Sequence, residues 1–295
     1  LVPAINMACR AAGVIGDSIM TCSPVYPPFR AAPANADRKL IDVPLVHRDD
    51  GVWTFDFPAM EAAVQPDTRA FILCNPHNPV GRVFQRHELE QMAEICLRND
   101  LVICSDEIHC DLVFEGPQHV PCATRARDSG QRTITLMAPR KTYNIAGLHS
   151  SVAIIENPEL RTQFERARKG LVSERLNVFG YTATLAAYRS GQPWLDALLR
   201  YLEANRDFVF DYVSTELHGV SMWKPEGTYL AWLDCESANL PGNPHEFFLD
   251  HARVALNDGA TFGRGGGGFV RLNFACPRST LESALERMSN ALAEL

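Results

Sequence analysis

"AFILCNPHNPVGRVFQRHELEQMAEICLRNDLVICSDE", residues 70–107, is the stretch on which the fold turns. Its first part is continuously apolar up to Cys74 and reads as a buried strand. "HNPVGR" carries the proline and glycine punctuation of a turn. Residues 86–100 then set Leu89, Met92, Ala93 and Cys96 on one face of a helix. "LVICSDE" (101–107) is a second apolar strand. Strand, helix and strand in this order predict a parallel pair with a helical crossover.

Working outward, "RTITLMAP" (132–139) and "SSVAIIE" (150–156) read as further strands. Continuous apolar strands between helical patterns predict an α/β fold with a mostly parallel sheet covered on both faces. Residues 193–217 form an uninterrupted helical pattern. After it, "GTYLAWLDC" (227–235) and "FVRLNFACP" (269–277) alternate like strands with one exposed face, and residues 277–295 read as a closing helix. The expected organisation is a large α/β domain over 1–195 and a smaller α+β domain over 196–295, joined by the helix 193–217. "GRGGGGF" (263–269) lacks the strand–glycine–helix context of a dinucleotide fingerprint and is expected to be a flexible loop. There are no internal repeats.

Composition narrows the function. The 295 residues are 46% hydrophobic and 21% charged, as in an ordinary globular enzyme. Lys and Arg number 28 against 35 Asp and Glu, a formal charge of −7, which argues against a nucleic-acid partner. The sequence shows no apolar run of membrane-spanning length and no charged leader followed by an apolar stretch, so neither a membrane span nor a signal peptide is expected. The nine cysteines are scattered, form no C-x-x-C pair and often sit in apolar runs, which points to a reducing cytoplasm. The histidines form no H-E-x-x-H cluster, which argues against a metal enzyme.

In parallel α/β sheets, ligands bind beyond the carboxyl ends of the strands. Three strand ends here carry unusual polar groups: Asn75 and Asn78; Asp106, Glu107 and His109; Arg140 and Lys141. A lysine, a carboxylate and an asparagine at one sheet edge suit pyridoxal phosphate. Its aldehyde needs an amine, its ring nitrogen needs a carboxylate to stay protonated, and its phenolic oxygen needs a hydrogen-bond donor.

The set "NPHNPVGR", "SDEIHCDL", "KTYNIAGL" and "GFVRLNFACPRS" resembles the class I/II, fold-type I pyridoxal phosphate enzymes, most of all the cystathionine β-lyase type of C–S lyase. The resemblance runs over essentially the whole chain. It implies that Lys141 is the Schiff-base lysine and the base for the substrate's Cα proton. It implies that Asp106 partners the pyridine nitrogen, that Asn78 donates to the phenolic oxygen, and that His109 lies near that oxygen. Tyr26 matches the aromatic residue stacked on the cofactor ring. Arg271 matches the arginine that grips the substrate α-carboxylate, a bidentate task suited to its planar fork. The resemblance also implies a homodimer acting on a small amino-acid substrate, with pyridoxal 5'-phosphate as cofactor.

Two departures from the pattern stand out. Arg140 occupies the place of a small hydroxyl residue that donates to the cofactor phosphate, and its guanidinium is expected to supply that contact. "LVPAINMACRAAG" resembles the helix just after the family's first phosphate-binding loop, so the elements that precede that helix in the family are expected either to lie in a longer chain or to be missing from a shortened one. The same residues serve β-elimination of a thiol from a cysteine S-conjugate and transamination, and a non-catalytic role of a shortened relative stays open beside them.

Overall fold

The computed structural model describes residues 1–126, 132–172 and 177–295. The strands of its first half are β1 Ser18–Ser23, β2 Lys39–Pro44, the short pair β3 Val46–His47 and β4 Trp53–Thr54, then β5 Thr68–Cys74, β6 Val102–Asp106, β7 Thr133–Met137 and β8 Val152–Ile154. Six of them form one sheet in the order β2-β1-β5-β6-β7-β8. Every neighbouring pair is parallel except β7 with β8, so the sheet is mostly parallel, as expected.

Side chains alternate across this sheet with the two-residue period of a strand. Ile72, Val102, Cys104, Ile134 and Leu136 face the helix Val2–Ala12, which contributes Ile5, Met7 and Ala8. Phe71, Leu73 and Ile103 face the helix Arg86–Arg98, which buries Leu89, Met92, Ala93 and Cys96, the face expected of it. That helix starts where the Gln85 N–H donates to the Glu88 carboxylate at 2.7 Å. With both faces covered, the inner strands β1, β5, β6 and β7 are buried nearly throughout, whereas the edge strands β2 and β8 are not.

Strand β1, "SIMTCS", is too polar for periodicity to single out. It is fully buried all the same, and two of its three hydroxyls have partners. Thr21 donates to the Ile72 carbonyl at 2.9 Å, and Ser18 donates to Asp67 at 3.1 Å.

The second sheet is antiparallel. Its strands are β9 Ser221–Met222, β10 Leu230–Asp234, β11 Asn257–Asp258 and β12 Phe269–Asn273, in the order β11-β12-β10-β9. The helix Gln192–Glu216 has 25 residues, a length of about 37 Å. With the helices Pro244–Ala252 and Arg278–Ala293 it builds a core that includes Val209, Val213, Leu233, Phe248, Val270, Leu272 and Leu285.

Two expectations are corrected here. β10 has no exposed face, since Leu230, Ala231, Trp232 and Leu233 are all buried. Ala231 and Leu233 pack on the helices, whereas Trp232 packs toward the first sheet's residues with Trp53, Phe262 and Phe269. The glycine run at 263–269 is a tightly packed turn, not an open loop. A Cβ on Gly266 would meet the Gly259 carbonyl, and one on Gly263 would meet the Arg30 guanidinium. The glycines let backbone approach backbone there.

Candidate active site

Register aligns the strand ends. Cys74 of β5 pairs with Asp106 of β6, and Asp106 pairs with Leu136 of β7. Asn75 therefore follows the end of one central strand, Asp106 ends the next, and Lys141 sits in the short helix Pro139–Thr142 just beyond the third. All seven expected site residues, Tyr26, Asn78, Asp106, His109, Arg140, Lys141 and Arg271, line one cavity of about 180 Å³. Tyr229 and Asn273 from the second sheet complete its far side.

The charges in this cavity are strongly perturbed. Asp106 is buried, and burial pushes its carboxyl up to about 6, against the pull of the Ile108 N–H that donates to it at 3.1 Å. His109 is also buried. Burial and the neighbouring Lys141 charge hold its imidazole down to about 3, so it is neutral at physiological pH. Lys141 is half-buried. Burial first, then the Arg140 and Arg271 charges, hold its ammonium below the ordinary lysine range. Among the described residues its side chain has no ion-pair partner. Such a lysine is primed to give up its proton.

Arg271 reaches the cavity from β12, where it lies opposite Trp232 of β10. One terminal nitrogen donates to the Asn78 side-chain oxygen at 2.8 Å and the other donates to the Asn257 side-chain oxygen at 2.7 Å. The guanidinium lies over the Phe262 ring at 5.0 Å. Its Nε is buried with no protein partner among the described residues. The Asn78 amide is thereby fixed, since its oxygen accepts from Arg271 and its NH2 remains a donor. Asn78 also anchors Tyr26, whose backbone N–H donates to the Asn78 carbonyl at 3.0 Å.

Other polar residues near the strand ends are structural. Asn75 accepts from the Phe84 N–H at 3.0 Å and donates its own backbone N–H to the Asp106 carbonyl at 3.1 Å, which shapes the turn. Buried Glu107 accepts from the Ser105 hydroxyl, the Cys122 N–H and the His119 ring. Sequence reasoning did not single out Tyr229, whose ring meets His109 edge to face at 6.0 Å, nor Asn257. The first ends the quoted "GTY" just before β10. The second is a lone asparagine with no local signal.

The cavity has what pyridoxal phosphate would need. Asp106 is a desolvated carboxylate short of a cationic partner. Asn78 offers its amide donor, and Arg140 has a buried Nε with no protein partner among the described residues. Lys141 is the amine beside them. An adjoining hollow of about 500 Å³ shares Arg140, Lys141, Tyr229 and Asn273 and continues past Trp194 and Leu198. Among the described residues no group of three or more His, Cys, Asp or Glu is placed to hold a metal ion, and no helix is long and apolar enough to cross a membrane.

Comparison with known proteins agrees with this geometry. Residues 2–288 match the family described as aminotransferase class I and II. The chain is 39% identical over 297 residues to cystathionine beta-lyase PatB of Bacillus subtilis, covering 99% of this chain and 76% of that protein. The solved structure of cystalysin from Treponema denticola, which contains a pyridoxal 5'-phosphate cofactor, superposes with a TM-score of 0.94 at 36% identity, covering 99% of this chain and 75% of the other. The solved structure of OvoB superposes with a TM-score of 0.94 at 45% identity, covering all of this chain and 76% of the other. The strand-end lysine, carboxylate and asparagine thus sit in a fold shared at this level of identity, and the chain belongs to the aminotransferase class I and II family.

Proposed function

We propose that this chain is a pyridoxal phosphate-dependent C–S β-lyase that converts cystathionine or a related cysteine S-conjugate, with water, to a thiol, pyruvate and ammonia. The observation that carries the reading is the meeting of Lys141, Asp106, Asn78 and Arg271 in one cavity. The similarity to proteins named as cystathionine beta-lyases supports the choice of elimination over transamination.

Each residue has a distinct task in this reading. When bound, pyridoxal phosphate supplies the electron sink that stabilises negative charge at the substrate Cα. Asp106 would hold a proton on its ring nitrogen, and that ion pair would offset the cost of burying the carboxylate. The Asn78 NH2 would donate to the phenolic oxygen, with neutral His109 beside it. Tyr26 would cover the ring, and Arg140 would contact the phosphate. Arg271 fixes the α-carboxylate and so the orientation of the Cα–H bond. Lys141 would hold the cofactor's aldehyde, and once free its Nζ would take the Cα proton. Burial and the neighbouring Arg140 and Arg271 charges lower its basicity and favour the neutral amine that this task needs. The thiolate leaves from Cβ, and the adjoining hollow gives its substituent room.

The test is pyruvate release from L-cystathionine with pyridoxal phosphate and no keto acid. Sustained pyruvate with equimolar thiol is expected. Turnover only when a keto acid is supplied would replace the lyase by an aminotransferase.

Two further parts of the reading concern the setting. Val178, Phe179 and Tyr181 are exposed on the helix Val178–Ser190, and Val152 and Ile154 are exposed on the outer strand β8. This apolar face fits a second copy of the chain, and a monomer mass in solution would sink that assignment. All nine cysteines are free and seven are buried, which suits work in a reducing cytoplasm.

A further inference from the structure

Asn78 belongs to the first sheet and Arg271 to the second, so the site functions only if the two sheets keep a fixed spacing. Besides the Arg271–Asn78 bond itself, a buried link between them is made at Arg82. Its side chain is only 6% exposed. One terminal nitrogen donates to the Trp53 carbonyl at 2.8 Å, the other to Glu88 at 2.8 Å, and Nε donates to Glu226 at 3.0 Å. The same Glu226 oxygen accepts the Val83 N–H at 2.7 Å. The backbone N–H groups of Glu226 and Gly227 both donate to the Gly81 carbonyl, at 2.8 and 3.1 Å. Gly81 has φ +74°, and a Cβ there would collide with Pro225. The strand-end turn and the segment 225–228 are therefore pressed backbone to backbone and locked by one buried cation between two carboxylates.

The two carboxylates play unequal parts. Glu88 stays within the first unit, on the helix Arg86–Arg98. Glu226 crosses to the second, and the next residues along the chain are Gly227, Thr228, the cavity residue Tyr229 and strand β10, whose Trp232 pairs with Arg271. On the other side Arg82 lies only four residues beyond Asn78. The lever from this link to both halves of the site is short.

We infer that Glu226 is a positioning residue: through Arg82 and Val83 it sets Arg271 and Tyr229 at the spacing from Asn78 and Lys141 that an amino-acid substrate needs. This rests on the reading of Arg271 as the carboxylate grip. Loss of the crossing arm weakens substrate binding, while loss of the Glu88 arm weakens only the fold.

The experiment compares Glu226→Ala with Glu88→Ala in the protein loaded with pyridoxal phosphate. Binding of L-alanine, which has the α-amino and α-carboxyl groups but no leaving group, is read by the change in cofactor absorbance. A displacement of the grip is expected to raise the L-alanine Kd about tenfold in Glu226→Ala and to raise KM for L-cystathionine more than it lowers kcat. The substrate-free cofactor spectrum stays that of the wild type. Glu88→Ala is expected to lower Tm at least as much, yet to leave the L-alanine Kd within about twofold. If Glu226→Ala does not fold, Glu226→Asp, which shortens the arm by one methylene, is read in its place and should raise the Kd in the same direction. Equal effects of the Glu226 and Glu88 variants on L-alanine binding, or no effect of the Glu226 variants, overturns the inference. A wild type that binds L-alanine but releases no pyruvate would remove the lyase reading and leave this tie to be judged on the binding ratio. A wild type that binds no L-alanine would overturn both.

Discussion

Replacing Arg271 by lysine keeps the positive charge and removes the fork, which makes it the sharpest probe of substrate recognition. A guanidinium has five N–H donors. Two are engaged with Asn78 and Asn257, which leaves three, including the buried Nε, for a carboxylate. A lysine ammonium at the end of a flexible stem cannot hold both asparagines and two carboxylate oxygens at once. The variant thus loses at least one charge-assisted hydrogen bond to substrate, about 1.5–3 kcal/mol. That corresponds to roughly a 10- to 150-fold fall in kcat/KM. Part of the fall should appear in kcat, because the Asn78 oxygen loses its Arg271 donor and the amide is free to turn. The assay is pyruvate release from L-cystathionine across a range of substrate concentrations. A kcat/KM within threefold of the wild type would refute the assignment of Arg271 as the carboxylate grip.

Asp106→Asn should abolish turnover yet stabilise the protein stripped of cofactor at neutral pH. The raised carboxyl makes the sign clear: its contribution to stability is present below pH 3.8 and is lost as pH rises through about 6. The gap between these values is worth about 3 kcal/mol, so at pH 7.5 the asparagine variant should melt higher than the wild type and at pH 4 the advantage should vanish. A wild type that melts higher at pH 7.5 would contradict the burial argument. Arg140→Ser tests the proposed phosphate contact. Losing one charge-assisted bond of about 1.5–3 kcal/mol should weaken pyridoxal phosphate binding about ten- to a hundredfold, and unchanged affinity would remove Arg140 from the site.

Much of the fold was legible because the apolar strands are unambiguous. "AFILC" and "LVICSD" can be little else than buried strands, and Leu89, Met92, Ala93 and Cys96 can share a face only in a helix. β1 was not legible, because Ser18 and Thr21 look like loop residues until tertiary partners for their hydroxyls exist. The glycine run misled for a related reason. Composition alone cannot tell a flexible loop from a turn where two backbones touch. Asn78, Asp106, His109, Arg140 and Lys141 were legible because each lies at or just beyond the end of an apolar strand, whereas Tyr26 follows the polar β1 and was named only by resemblance to the family. Tyr229 and Asn257 were not, since they enter the site only once the second sheet is docked, through contacts more than 100 residues apart in sequence for Tyr229 with His109. The buried link of Arg82 to Glu226, 144 residues apart, has no local signature at all.

The central claim is that Lys141 is the amine that holds pyridoxal phosphate. The most direct measurement is borohydride reduction of the protein incubated with pyridoxal phosphate, followed by peptide mapping by mass spectrometry. A single stable adduct on the peptide containing Lys141, absent from Lys141→Ala, is the predicted result. An adduct on another lysine, or none in the wild type, would contradict it.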